Sequence, residues 1–224
     1  MEPSLGTIRG LLAREEPVRW IFAGDSITHG AKHTMGWRDY PELFSERVRS
    51  ELARPRDRVI TTAISGWAIW DIEADLEWNI LVENPDVVSI NLGPNDCLRP
   101  KPLEEFKATY LDVLDRVRER TGAALIVHTA NQVIETAGPE LVAGLADYAQ
   151  AAREVAEESG AVLVDHFEHW DNQVEGVIHE WIGHGCHPNQ YGHRAMAHLL
   201  FREIGIWDDE SRTCQLFVPR KWES

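Results

Sequence analysis

Trp20-Ile21-Phe22-Ala23-Gly24-Asp25-Ser26-Ile27-Thr28 runs from an apolar segment that can be buried on both faces into a glycine, an acid and a serine. A short apolar run closed by turn residues reads as a buried strand, here over 18–23. In open α/β sheets ligands bind outside the carboxyl ends of the strands. A hydroxyl at Ser26 would stand at that rim, placed to act as a nucleophile. Asp25 and Ser26 would equally well serve as caps of the next helix, so the decision between the two readings lies elsewhere in the chain.

Strand and helix signals alternate on both sides of this stretch. A short helix is expected over 8–14, ended by Pro17. Leu43, Phe44, Val48 and Leu52 recur at helical spacing within 40–52. Further strands are expected at 58–63, 86–92, 124–129 and 161–164, and further helices at 67–81, 103–120, 141–159 and 190–204. Gly122 and Gly160 stand just past two of those helices, where glycine commonly ends them. Strands separated by helices of this length imply βαβ units, a parallel sheet, and right-handed crossovers that cover both faces. The stretch before 190 is expected to be irregular, and the tail, with Trp207, Phe217 and Trp222, shows no clear period. The expected organisation is one α/β domain over 1–205 and a C-terminal extension over 206–224, packed on the domain or on a partner subunit.

Of the 224 residues, 43% are hydrophobic and 26% charged, the proportions of a globular protein with a sizeable core. A formal net charge of −15 opposes binding to phosphate backbones or anionic membranes. No apolar run reaches the length of a membrane span, and Met1-Glu2-Pro3-Ser4-Leu5-Gly6 lacks the pattern of a signal peptide. Cys97, Cys186 and Cys214 form no framework spacing. The expectation is a reduced, cytoplasmic protein with no nucleic-acid or membrane partner, and with a homodimer left open.

Each expected strand end offers something polar. Gly24-Asp25-Ser26 follows the first strand, Ile64-Ser65-Gly66-Trp67 the second, and Gly93-Pro94-Asn95-Asp96 the third; Cys186-His187-Pro188-Asn189 precedes the last helix. Acyl transfer needs a hydroxyl nucleophile, a base, and donors for an oxyanion. Ser26 can be the first and His187 the second. The N–H groups of Ser26 and Gly66 and the amide of Asn95 can be the third, and Gly66 suits this because a residue without Cβ lets an oxyanion approach the backbone closely.

In these four blocks the sequence resembles the SGNH hydrolases, also called GDSL-type esterases and lipases, over roughly residues 18–204. Gly24-Asp25-Ser26, Gly66, Gly93-Pro94-Asn95-Asp96 and His187-Pro188-Asn189 match the family's blocks in order. The resemblance implies a three-layer α/β/α, flavodoxin-like domain with a central, mostly parallel five-stranded sheet. It also implies a cofactor-independent serine esterase working through an acyl-enzyme. Ser26 would be the nucleophile, His187 the base, and Ser26 N–H, Gly66 N–H and Asn95 the oxyanion hole, with Asp25 and Asp96 holding the loops.

One position departs from the family pattern. Three residues before the base, where the family usually has Asp, stands His184, which cannot do a carboxylate's electrostatic work. Three readings stay open. Another acid orients His187 (Glu180, on the same loop, ahead of Asp165, Asp171 and Glu168); a backbone carbonyl does so; or the site is impaired. An impaired site would leave a non-catalytic binding protein of the same fold. The cluster of His179, His184, Cys186 and His187 suggests a metal-assisted hydrolase, but its spacings match no standard zinc pattern, so no metal is expected. Cys97 and Cys186 are expected as thiols, and His29 and His33 as polar loop residues.

For substrate, Trp37, Trp67 and Trp70 fall where a pocket wall would be, although each would also serve as core. Gly36-Trp37-Arg38-Asp39-Tyr40-Pro41 loosely resembles the corresponding stretch of carbohydrate-deacetylating members. The expected substrate is a short-chain ester, acetyl foremost, of a sugar or small metabolite. An acyltransferase would use the same serine.

Overall fold

The apolar runs form five strands, β1 (Arg19–Gly24), β2 (Arg58–Thr61), β3 (Val87–Asn91), β4 (Ala124–His128) and β5 (Val162–Val164). The computed structural model describes residues 4–99, 101–173 and 176–220. All four pairings in the sheet are parallel, in the order β2-β1-β3-β4-β5. This is the flavodoxin-like order, and its direction reverses between β1 and β3, the crevice where such sheets bind ligands. Gly24 pairs with Asn91 and Asn91 with His128, so three strands end level at that rim.

Alternation along the strands builds two cores. Trp20 and Phe22 of β1 join one apolar cluster, with Tyr40, Phe44, Trp170, Trp181 and Phe201. Ile21 and Ala23 join the other, with Val88, Ile90, Phe106, Tyr110, Leu125 and Val127. Helices therefore cover both faces, as the sequence implied. In chain order they are α1 (Ser4–Ala13), α2 (Ser26–His29), α3 (Tyr40–Glu46), α4 (Ile69–Ala74), α5 (Leu76–Asn79) and α6 (Pro94–Leu98). The longer α7 (Leu103–Thr121) and α8 (Pro139–Ser159) follow, then α9 (His166–Asp171), α10 (Val177–Trp181) and α11 (Gln190–Glu203). None of these is long and apolar enough to cross a membrane.

Three local expectations are corrected. The helix expected over 67–81 is two short helices, α4 and α5, meeting at Asp75 (φ −117°, ψ 20°). Its apolar residues Ile69, Ile72, Leu76 and Ile80 are all buried, so the helical period persists across the break. The helix over 40–52 becomes π-helical at Arg47–Glu51, where the buried Arg47 guanidinium donates to the Ile206 carbonyl at 2.7 and 2.9 Å. The stretch expected to be irregular holds α9, α10 and an antiparallel hairpin, β6 (Ile182–His184) and β7 (His187–Pro188). Elements this short carry no period to read.

The tail packs on the domain. Ile206, Cys214 and Val218 belong to the core that contains Trp20, Glu51 accepts from the Thr213 N–H at 3.0 Å, and the Trp181 indole donates to the Pro219 carbonyl at 2.9 Å. Trp222 lies outside the described residues.

Ser89 and His128 point from the sheet into the same face as Trp20. Ser89 Oγ lies 2.7 Å from His128 Nε2, and His128 Nδ1 lies 2.9 Å from His166 Nε2. Burial pushes His128 and His193 down to about 3 and His198 to about 4. The unfolded chain therefore binds more protons than the fold below about pH 6.5, and these groups lose stability as pH falls. Burial raises Asp25 and Asp39 to about 7 and Asp96 to about 6. The fold then binds protons first, and these groups gain stability as pH falls from 7 toward 4. His166 and His169 are lowered by burial too, so from about pH 6.5 to 4 five imidazoles outweigh three carboxyls, and once the pH has passed the folded values of about 3 to 4 His128, His193 and His198 add no further loss. The denaturant midpoint is expected to fall from about pH 6.5 downward, less steeply than five buried imidazoles alone would make it. A loss as steep as that of the imidazoles alone would show that these carboxyls titrate as exposed groups.

Candidate active site

Ser26 opens α2 directly after β1, and its Oγ lies 2.9 Å from His187 Nε2. Helix capping falls to Asp25, whose Oδ1 accepts the Ile27 N–H at 2.9 Å, so the serine hydroxyl is left to face the imidazole. On the far side of that ring, Nδ1 lies 3.3 Å from the His184 carbonyl. A carbonyl only accepts. It therefore favours the tautomer with the proton on Nδ1, leaving the Nε2 lone pair toward the serine O–H.

His187 begins β7 of the hairpin, and its place depends on Asn189. The Asn189 side-chain oxygen accepts the N–H groups of Tyr191 and Gly192, capping α11, while its amide donates to the carbonyls of Glu180 (2.7 Å) and Ile182 (3.3 Å). One side chain thus ties the hairpin to α10 and α11. Cys186 lies with its Sγ 3.6 Å from His187 Nδ1, its thiol pushed up to about 11 by burial.

The segments expected to supply oxyanion donors are bound to each other by two buried carboxyls. Asp25 Oδ2 accepts from Asn95 Nδ2 at 3.3 Å, and Asn95 Nδ2 also donates to the Trp67 carbonyl at 3.0 Å. Asp96 accepts the N–H groups of Ile69 (2.8 Å) and Gly93 (3.0 Å). The loops after β1, β2 and β3 are therefore one frame. Gly66 lies within it, exposed and at φ +88°, a conformation that favours glycine. Both Asn95 amide hydrogens have protein acceptors, so an oxyanion would have to draw one away, the longer bond to Asp25 first.

The acids considered as partners of the base are placed elsewhere. The carboxyl of Glu180 is on an exposed residue of α10 and Glu168 is exposed on α9. Asp165 pairs with Arg153 at 2.6 Å, and Asp171 accepts from Gln132 at 2.7 Å. His184 is exposed, and its main-chain carbonyl lies 3.3 Å from His187 Nδ1. Among the described residues no three His, Cys, Asp or Glu side chains converge as a metal-binding group. Cys97, Cys186 and Cys214 are free thiols.

Of the tryptophans, Trp37 is 56% exposed and lines a cavity of about 220 Å³ with Arg38, Gln190 and Arg194. Trp67 and Trp70 pack partly buried against the core of the other face, and the Lys101 ammonium lies 4.7 Å from the Trp70 ring centroid. His29, expected in a loop, is the exposed last residue of α2, 3.0 Å from the Ser65 hydroxyl. His33 is more than a polar loop residue: its ring stacks on His187, 3.5 Å between centroids. Nothing in the sequence near His33 marked that contact, because the two residues are brought together only by the fold.

Residues 22–195 match the GDSL-like lipase/acylhydrolase family. An acetylxylan esterase from Geobacillus stearothermophilus is 28% identical over 212 residues, covering 83% of this chain and 93% of that protein. An uncharacterized protein of Mycoplasma pneumoniae is 30% identical over 127 residues, 54% of this chain but 14% of that protein. Among solved structures, a catalytic mutant of the Geobacillus acetylxylan esterase superposes with a TM-score of 0.70 at 23% identity, covering 89% of this chain and all of that one. The level ends of β1, β3 and β4 and the hydroxyl held at the first of them are thus set in a known frame: the chain belongs to the GDSL-like lipase/acylhydrolase family, as a serine carboxylic ester hydrolase.

Proposed function

We propose that the protein removes short acyl groups, acetyl foremost, from a sugar or small metabolite through an acyl-Ser26 intermediate. The observation that carries this reading is the 2.9 Å contact between Ser26 Oγ and His187 Nε2 at the sheet's switch point. His187 takes the serine proton as Oγ attacks the ester carbonyl. The oxyanion is received by Ser26 N–H, Gly66 N–H and the Asn95 amide, and His187 returns the proton to the departing alcohol. Water then repeats the sequence on the acyl-enzyme. The acetylxylan esterase relative supports acetyl and carbohydrate.

The test is hydrolysis of p-nitrophenyl acetate, butyrate and octanoate and of acetylated xylooligosaccharides, with intact-mass analysis after a fluorophosphonate. Acetate fastest, sugar acetates cleaved and one adduct on Ser26 are expected. A preference for octanoate would sink the short-acyl reading, and activity without a Ser26 adduct would sink the acyl-enzyme. Activity lost to a chelator would favour the metal-assisted alternative.

Two variants test the parts. Asn95→Ala is expected to lower kcat about 10²- to 10³-fold, the usual cost of one oxyanion donor; an unchanged kcat would remove Asn95 from the oxyanion site. His184→Asp places a carboxylate three residues before the base, where it could stabilise the imidazolium. A kcat severalfold higher, about 3- to 10-fold, is expected, and a lower one would show that the main-chain carbonyl already suffices.

A further inference from the structure

His33 sits in the 3₁₀ turn Ala31–Thr34 and His187 on the hairpin, more than 150 positions later, yet the two rings lie face to face. Their centroids are 3.5 Å apart and their planes 6° from parallel. The turn packs against both β6 and β7. A ring covered in this way resists tilting and lateral sliding. What remains is rotation within its own plane, and that is set at opposite edges by Ser26 Oγ (2.9 Å) and the His184 carbonyl (3.3 Å).

In a serine-histidine-aspartate triad the carboxylate both orients the imidazole and stabilises its cation. Here the contacts at Nδ1 are a neutral carbonyl 3.3 Å away and the Cys186 sulfur at 3.6 Å, a weaker and less directional hold than a short charge-assisted bond. The orienting work is open to a further contributor, and His33 stacks on the face of the His187 ring. We propose that His33 is a positioning residue that fixes the plane of the His187 ring toward Ser26 by stacking. The inference rests on His187 being the base.

Stacking requires a flat ring, not an ionisable one, and this separates the proposal from a proton relay or a packing role. Displacing a reacting group by about 1 Å can cost about 10²-fold. His33→Ala and His33→Leu are expected to lower kcat on p-nitrophenyl acetate by about 10- to 100-fold, with KM changed by less than about twofold. The fluorophosphonate labelling rate of Ser26 should fall in parallel. His33→Phe, which restores a flat ring without a titratable group, is expected to recover most of kcat. Wild-type kcat in His33→Leu would overturn the proposal. So would a His33→Phe kcat as low as that of His33→Leu with both proteins melting alike, because the imidazole's protons and not its face would then matter. His187→Ala, measured alongside, separates the two readings. If it is inactive while the His33 variants are normal, only the positioning role falls; if it is active, the base assignment falls and this inference with it.

Discussion

Ser26→Ala is expected to lower kcat on p-nitrophenyl acetate by about 10⁴- to 10⁶-fold while leaving the fold intact. The magnitude follows from the division of labour at the rim. On the proposed mechanism, removing Oγ removes both the bond-forming atom and the group whose proton His187 accepts, so no acyl-enzyme can form. The frame that joins Asn95 to Asp25 and Trp67 is untouched, and residual catalysis over water of about 10³-fold can survive from donors alone. Stability should hardly change. Ser26 is only partly buried, and the cap of α2 belongs to Asp25. The measurement is a rate, a melting curve and a labelling assay on one preparation. Undiminished hydrolysis by a correctly folded Ser26→Ala protein would end the serine mechanism and turn attention to the metal-assisted alternative.

Gly24→Ala is expected to cost about 4 kcal/mol of stability, combining overpacking of about 1–3 kcal/mol with a backbone strain of similar size. Gly24 closes β1 at φ +143°, and a Cβ there would lie 2.2 Å from the Asn91 carbonyl oxygen and 2.9 Å from Thr28 Oγ1. The obstacle is the neighbouring strand, to which Gly24 is paired, so it cannot be relieved by turning a side chain. A domain of this size should then lose about 8–16 °C in Tm. Activity should fall even below the new Tm, because the next two residues are Asp25 and Ser26. A Tm within about 2 °C of the wild type would mean that β1 and β3 can separate at this edge more easily than their pairing suggests.

What could be read from the sequence was whatever carried a period or a motif. The apolar runs of β1, β3 and β4 are continuous because both faces are buried, and α7 and α8 are long enough to show their stripe. That sufficed for the five-stranded parallel sheet and the family. Three of the four polar blocks could be assigned to strand ends for the same reason, and the fourth to the start of the last helix. The break at Asp75 was hidden because Ile69, Ile72, Leu76 and Ile80 keep helical spacing across it. The hairpin that carries His187 was hidden because strands of two or three residues have no alternation to detect. His184 was seen as a side chain in the wrong place, whereas its contribution is a carbonyl, which every residue has. His33 read as a loop residue for a related reason: stacking depends on which loops meet, and nothing local records that.

The proposed nucleophile and oxyanion donors hang from the sheet, their loops bound together by Asp25 and Asp96, whereas the proposed proton acceptor, His187, belongs to a small hairpin fastened by Asn189. This is a modular machine, with a fixed anvil and a separately mounted hammer. Changes to the hairpin can tune how readily a proton is lifted without redrawing the surface on which the ester rests. Changes to the two buried carboxyls would disturb both the site and the scaffold together. Variation in speed within such an enzyme is therefore most accessible between Ile182 and Asn189, and variation in durability beneath Gly24.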